Sequence, residues 1–122
     1  MNGERVSPLL RTEHRTEGSA VVVTVHGEVD MNSAPHLQTA LDQALQSEPS
    51  TVVLDMTEVG FLGSAGLSVL LATSQAGPAG GLRVVASPAV RRPIEVTALD
   101  KLLRLFATVE EALAAPEQSP SA

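Results

Sequence analysis

The stretch VVLDMTEVGFLGSAGLSVLLA, residues 52–72, decides the fold. Val52, Val53 and Leu54 make a short apolar run that stops at Asp55. Met56, Thr57 and Glu58 read as a polar hinge, Phe61, Leu62 and Gly63 as the close of a loop, and a helical pattern begins at Ser64. β-Branched residues ending in a carboxylate, then a Gly/Ser turn into an apolar helix, predict strand, loop and helix in that order. The carboxyl end of such a strand and the first turn of the next helix are where α/β folds commonly place their sites.

The flanking sequence repeats this alternation. Residues 9–15 are mixed enough for an edge strand, Glu17-Gly18-Ser19 is a turn signal, and AVVVTV at 20–25 is the strongest strand in the chain. A turn this short predicts an antiparallel hairpin. His26 to Asp30 then reads as a loop, and Asn32 or Ser33 as the cap of a helix with Pro35 in its first turn. Leu37, Ala40, Leu41, Ala44 and Leu45 fall on one apolar stripe.

In the helix after Ser64, Leu67, Leu70, Leu71 and Ser74 are expected on one side, which makes Leu54, Leu67, Leu70 and Leu71 the predicted core contact. Residues 76–81, AGPAGG, break this helix. A strand over 82–86 follows, then a helix capped by Ser87-Pro88 with Val90, Ile94 and Thr97 inward. A short strand at 105–107 leads to a closing helix opened by the capping-box pattern Thr108-x-x-Glu111. The order ββαβαβαβα implies a single α/β domain over residues 9–115. Its sheet is mostly parallel, with an antiparallel N-terminal edge strand and helices covering it. Residues 1–8 and 116–122 read as flexible termini.

Composition narrows the function. A chain of 122 residues accommodates one domain with a real core, and with 2% aromatic residues that core must be Val, Leu and Ala. Eight Lys and Arg against fourteen Asp and Glu give a formal charge of −6, which argues against direct nucleic-acid binding. Without cysteine there is no disulfide, thiol nucleophile or thiolate metal site. The sequence has no signal-peptide pattern and no apolar run long enough for membrane insertion, so a cytoplasmic location is expected.

Catalytic patterns are missing as well. There is no phosphate-binding Gly-Lys-Ser/Thr loop, and His14, His26 and His36 lack metal-ligand spacing. Gly63-Ser64-Ala65-Gly66 is not a nucleophile elbow, which has a glycine two places either side of the serine. Asp42, Asp55 and Asp100 show no acid/base pairing. What remains is a pair of loops, Glu28–Asp30 with Ser33 and Asp55–Ser64, which a parallel sheet brings to the same edge. Ser64 has two readings: a helix cap, or an exposed hydroxyl at a helix N-terminus that can carry a phosphoryl group.

GEVD at 27–30, VVLDMTEVGF at 52–61, SAGL at 64–67 and ASPAVRRPIEVTALDKLLRLF at 86–106 together resemble the STAS family, and within it the bacterial anti-sigma-factor antagonists. The resemblance covers roughly residues 9–113. It implies a non-enzymatic regulator of transcription that works by partner switching, with no cofactor of its own. The unphosphorylated antagonist binds an anti-sigma factor that is also a serine kinase, and so frees a sigma factor. The kinase brings ATP and Mg²⁺ and phosphorylates the serine heading the second helix, here Ser64; a serine phosphatase reverses it. Asp30 matches the family's acidic residue near that serine. On this resemblance Asp30, Ser33, Gly63, Ser64, Ala65 and Gly66 are the expected partner-binding residues, with no catalytic or metal-binding residue.

The sequence departs from the family twice. Gly63 stands where an Asp usually precedes the phosphorylated serine, which removes a charge from the interface. Thr97-Ala98-Leu99 replaces Thr-Gly-Leu, and because Ala suits a helix better than Gly, a packing difference is all that is expected there. Arg91 and Arg92 offer either a partner-facing patch or a solvated helix face. Two other functions compete: a constitutive STAS adaptor, such as a transporter subunit without phospho-regulation, and a nucleotide-binding α/β enzyme. A kinase or transporter gene beside this one separates the first two, and a nucleotide titration tests the third.

Overall fold

A computed structural model describes residues 10–78 and 81–116. The strands are β1 (Leu10–Glu17), β2 (Ala20–Val29), β3 (Thr51–Leu62), β4 (Leu82–Ala86) and β5 (Arg104–Phe106). The helices are α1 (Ala34–Leu45), α2 (Ser64–Ala76), α3 (Pro88–Val96) and α4 (Val109–Ala114), with a 3-10 turn at Leu99–Lys101. The strands lie in the order β1-β2-β3-β4-β5, the first pair antiparallel and the rest parallel. This is the expected α/β architecture, antiparallel edge included. Of the termini expected to be flexible, 1–8 and 116–122, residues 1–8 and 117–122 lie outside the described residues, as does Ala79-Gly80 of the helix-breaking run. Pro116 is described: its carbonyl accepts hydrogen bonds from Arg83 and Arg104.

Helices sit on both faces of the sheet, which explains the continuous apolar run at 52–54. Val52 and Leu54 point into the large core under α1, α2 and α3, while Val53 joins Val22, Val85 and Ala112 in a smaller core under α4. A strand buried on both faces has no polar side to alternate with. Ser87 caps α3 as expected, accepting from the Val90 amide, and Thr108 caps α4, accepting from the Glu111 amide. The Glu111 side chain reaches back to the amide of Ala107, one residue short of a reciprocal capping box.

Several expectations are overturned. The sequence reading ends β3 at Asp55 and turns His26–Asp30 into a loop; in the structure both strands run on, to Leu62 and Val29. They stay paired because β3 takes an extra residue twice, between the pairs Thr24–Asp55 and His26–Glu58, and again between Gly27–Val59 and Glu28–Phe61. The polar residues that look like a hinge are the exposed side of these bulges, and the Asp55 carboxylate secures the first by accepting from the amide and hydroxyl of Thr57. Strand β5 covers 104–106, one residue earlier than expected.

The buried face of α2 is Gly66, Val69, Leu70 and Thr73, with Leu67 and Leu71 only half-buried. A Cβ on Gly66 would lie 2.5 Å from Leu62 Cδ1 and 2.6 Å from Val29 Cγ1. The helix therefore sits down on the ends of β2 and β3 through its smallest residue, and this rotates Leu71 and Ser74 away from the centre. Thr97 is exposed, its hydroxyl returned to the Pro93 carbonyl of its own helix. Ala98 is not helical: its φ of 62° is left-handed, and it reverses the chain between α3 and the 3-10 turn.

Candidate functional site

The last pair of the β2–β3 ladder, Val29 with Leu62, fixes the site. One residue further on, the Gly63 amide donates to the Val29 carbonyl at 2.9 Å, so the chains leaving both strands are tied together at the sheet edge. Asp30 and Ser64 leave from this point on either side, which puts them at the same edge as expected.

Asp30 is part of a closed local network. Its Oδ1 accepts from the amides of Asn32 (2.9 Å) and Ser33 (3.0 Å) and lies 3.2 Å from the Ser33 hydroxyl. That hydroxyl donates to the Glu28 carbonyl at 2.8 Å and accepts from the Asp30 amide at 3.0 Å. The hydrogen bond from the Ser33 amide, helped by those from Asn32 and the Ser33 hydroxyl, holds the Asp30 carboxyl below the usual carboxylate range; partial desolvation opposes this. Asp30 thus does the work expected of a cap at the start of α1, its carbonyl also accepting from the Ala34 amide. Ser33 is fully buried. It positions Asp30 from beneath and offers a partner no surface.

Ser64 is the first residue of α2 and is exposed; the cap position is Gly63, which corrects the reading of Ser64 as the cap. The first intrahelical bond runs from the Leu67 amide to the Gly63 carbonyl, so the amides of Ser64, Ala65 and Gly66 form the open first turn. A 13-residue helix directs its positive end at the Ser64 hydroxyl, where added negative charge is favoured. Ala65 is half-buried, and Gly66 is buried against Leu62 and Val29. Of the six expected partner-binding residues, Ser64, Asp30, Gly63 and Ala65 have access to solvent, while Ser33 and Gly66 shape the site from within.

Two neighbours were missed in the sequence. Met31 is 76% exposed, and Phe61 is 50% exposed with its ring edge beside Gly63, where a Cβ would lie 3.1 Å from it. The signal was there: Met31 is a large apolar side chain between Asp30 and Asn32, and Phe61 is one of the two aromatic residues in the chain. Assigning Phe61 to a loop closure concealed it.

Elsewhere the molecule is chemically quiet. Among the described residues no group of three or more His, Asp or Glu could hold a metal. None of the described helices is long and apolar enough to cross a membrane. A groove of about 680 Å³ at the opposite sheet edge is lined by Thr16, Ser19, Leu45, Ser50 and Gly77, with Glu48 as its single charged side chain; the Ser50 and Ser19 hydroxyls in it bond to each other.

The STAS domain family matches residues 11–112. The anti-sigma-F factor antagonist RsfB of Mycobacterium tuberculosis is 42% identical over 94 residues, 75% of this chain and 77% of that protein. The crystal structure of an anti-sigma factor antagonist from Mycobacterium paratuberculosis superposes with a TM-score of 0.85 at 39% identity, covering 92% of this chain and 98% of that one. The unphosphorylated form of the anti-sigma factor antagonist SpoIIAA shares the fold, with a TM-score of 0.65 at 21% identity over 84% of this chain and 93% of its own. With the antiparallel edge, the paired ends of β2 and β3 and an exposed serine heading α2, the chain belongs to the STAS family, among the anti-sigma factor antagonists.

Proposed function

We propose that this chain binds an anti-sigma factor with serine kinase activity through the edge formed by Asp30, Gly63, Ser64 and Ala65, and that phosphorylation of Ser64 releases it. The observation that carries this reading is an exposed hydroxyl at the open N-terminus of α2, tied by the Gly63–Val29 hydrogen bond to the segment holding Asp30. The kinase supplies ATP and Mg²⁺; its γ-phosphoryl passes to Ser64 Oγ, which loses its proton, and ADP leaves. The helix end tolerates the new group, which brings roughly −1.5 to −2 charges. A partner packed against Ser64 must desolvate those charges, and binding is lost. A serine phosphatase restores the binding form. In this reading the chain catalyses nothing, needs no cofactor or metal, touches no nucleic acid and acts in the cytoplasm.

The test is capture of partners from the native extract with and without Mg-ATP, then reconstitution with the purified kinase and peptide mass spectrometry. Phosphate is expected on Ser64. Ser64→Ala should bind without being released by ATP, and Ser64→Glu should bind weakly. Thr57 and Ser68 are the informative controls because both are exposed, whereas Ser33 and Thr73 are buried. Phosphate on Thr57 or Ser68, or Ser64→Glu binding as tightly as wild type, would falsify the switch and leave a constitutive adaptor in its place.

A further inference from the structure

Large apolar side chains stand exposed at two places among the described residues. Val96 and Leu102 are 74% and 60% exposed beside the chain reversal that leads into β5, at the edge where parallel strands begin. Met31 and Phe61 lie at the other edge, each two residues from the hydrogen bond between Gly63 and Val29. Both fall within residues 16–82, a stretch that holds no Lys or Arg, whereas Val96 and Leu102 have Arg91, Arg92, Lys101 and Arg104 nearby in sequence. Residues 26–33 and 55–64 carry Glu28, Asp30, Asp55 and Glu58 and not one Lys or Arg. Glu28 pairs with Phe61 across the ladder, and both Glu28 and Glu58 are exposed.

We propose that Met31 and Phe61 are the apolar anchors of the partner contact, and that the partner surface they fit is an apolar socket edged by lysine or arginine. The inference rests on the proposed function, and specifies what holds the complex together before Ser64 is modified. Aromatic and methionine side chains at the centre of a contact, ringed by charges that exclude water, are the usual carriers of binding energy. Complementary charge at the rim sets orientation and rate of approach. A second copy of this chain fits poorly, because these two segments carry carboxylates and no Lys or Arg, and like charges set opposite each other repel. The position of Ser64 gives the switch its leverage: it follows Gly63, on which the Phe61 ring rests, so a phosphoryl group there faces the socket and not the rim.

The probe is purified anti-sigma-F factor of Mycobacterium tuberculosis, with RsfB as positive control and calorimetric dissociation constants as the measurement. Met31→Ser and Phe61→Ser should each weaken binding about thirtyfold, as removal of an anchor does, while Phe61→Leu retains most of it. Val96→Ser and Leu102→Ser should bind as wild type does. Binding should weaken with rising salt, less so for the Glu28→Gln, Glu58→Gln double variant. Because these side chains are exposed, every variant is expected to melt as wild type does. If Met31→Ser and Phe61→Ser bind normally while Ser64→Glu does not, the anchor assignment is wrong and the proposed function stands. If wild type fails to bind where RsfB binds, the proposed function falls and takes the anchors with it.

Discussion

At Ala98 a methyl group sits where the backbone asks for none. The left-handed conformation brings Cβ close to the following carbonyl oxygen, at a cost of about 1–2 kcal/mol for a residue other than glycine. The side chain is exposed and contributes no core packing in return. Ala98→Gly should therefore raise stability by about 0.5–1 kcal/mol, the relief of strain being partly offset by the greater freedom of glycine in the unfolded chain. Denaturant titration measures it, and a loss of stability would mean that the reversal is not held left-handed. Asp30 gives a second prediction. Its folded-state carboxyl titrates below the usual range, so its contribution is complete above the ordinary carboxylate value and disappears as pH falls through the lowered one. Between neutral pH and pH values near 3, wild type should lose more melting temperature than Asp30→Asn does. Parallel curves would show that the network around Ser33 does not depend on charge.

Among the elements, α2 carries both a packing face and the candidate serine, Ser64. Leu70 is fully buried in the large core, so Leu70→Ala should cost about 2–5 kcal/mol, while Leu71→Ala at a half-buried position should cost clearly less. Gly66→Ala should also destabilise, by about 1–3 kcal/mol, because the new methyl group meets Leu62 and Val29 at 2.5 and 2.6 Å. Chemical denaturation of the three variants side by side ranks them. A larger loss for Leu71→Ala than for Leu70→Ala would return the helix to the orientation its leucines suggest. The Gly66 variant has a further use: the helix it would lift carries Ser64, so its effect on binding reports how rigidly that hydroxyl must be presented.

For the molecule as a whole, the order of elements was legible because period-two and period-3.6 patterns alternate cleanly and the breakers fall between them. What was not legible depends on partners distant in sequence. The two bulges of β3 exist only in register with β2, so Asp55–Leu62 taken alone resembles a hinge. The face of α2 is set by the residue with no side chain, which an apolar count passes over. Ala98 scores as a helix former, yet its conformation is dictated by the chain reversal into β5. At the candidate site, Asp30 and Ser64 could be named from strand ends and helix starts. That Ser33 is buried, that Gly63 and not Ser64 caps the helix, and that Met31 and Phe61 stand outside all required the packed structure.

The sheet has one further property, which concerns assembly in time. Spatial strand order is the same as order along the chain, so no strand has to insert between two already paired. During synthesis each strand leaves the ribosome after the neighbour it will join. The β1–β2 hairpin forms an edge for β3, β3 for β4 and β4 for β5. The edge left exposed behind this growth is β1, whose Arg11, Glu13, Arg15 and Glu17 alternate in sign and form ion pairs along the strand, a poor template for a second nascent chain. By the time Ser64 and the first turns of α2 have emerged, every residue of the candidate edge, from Glu28 to Gly66, has been made, with β4, α3, β5 and α4 still to follow.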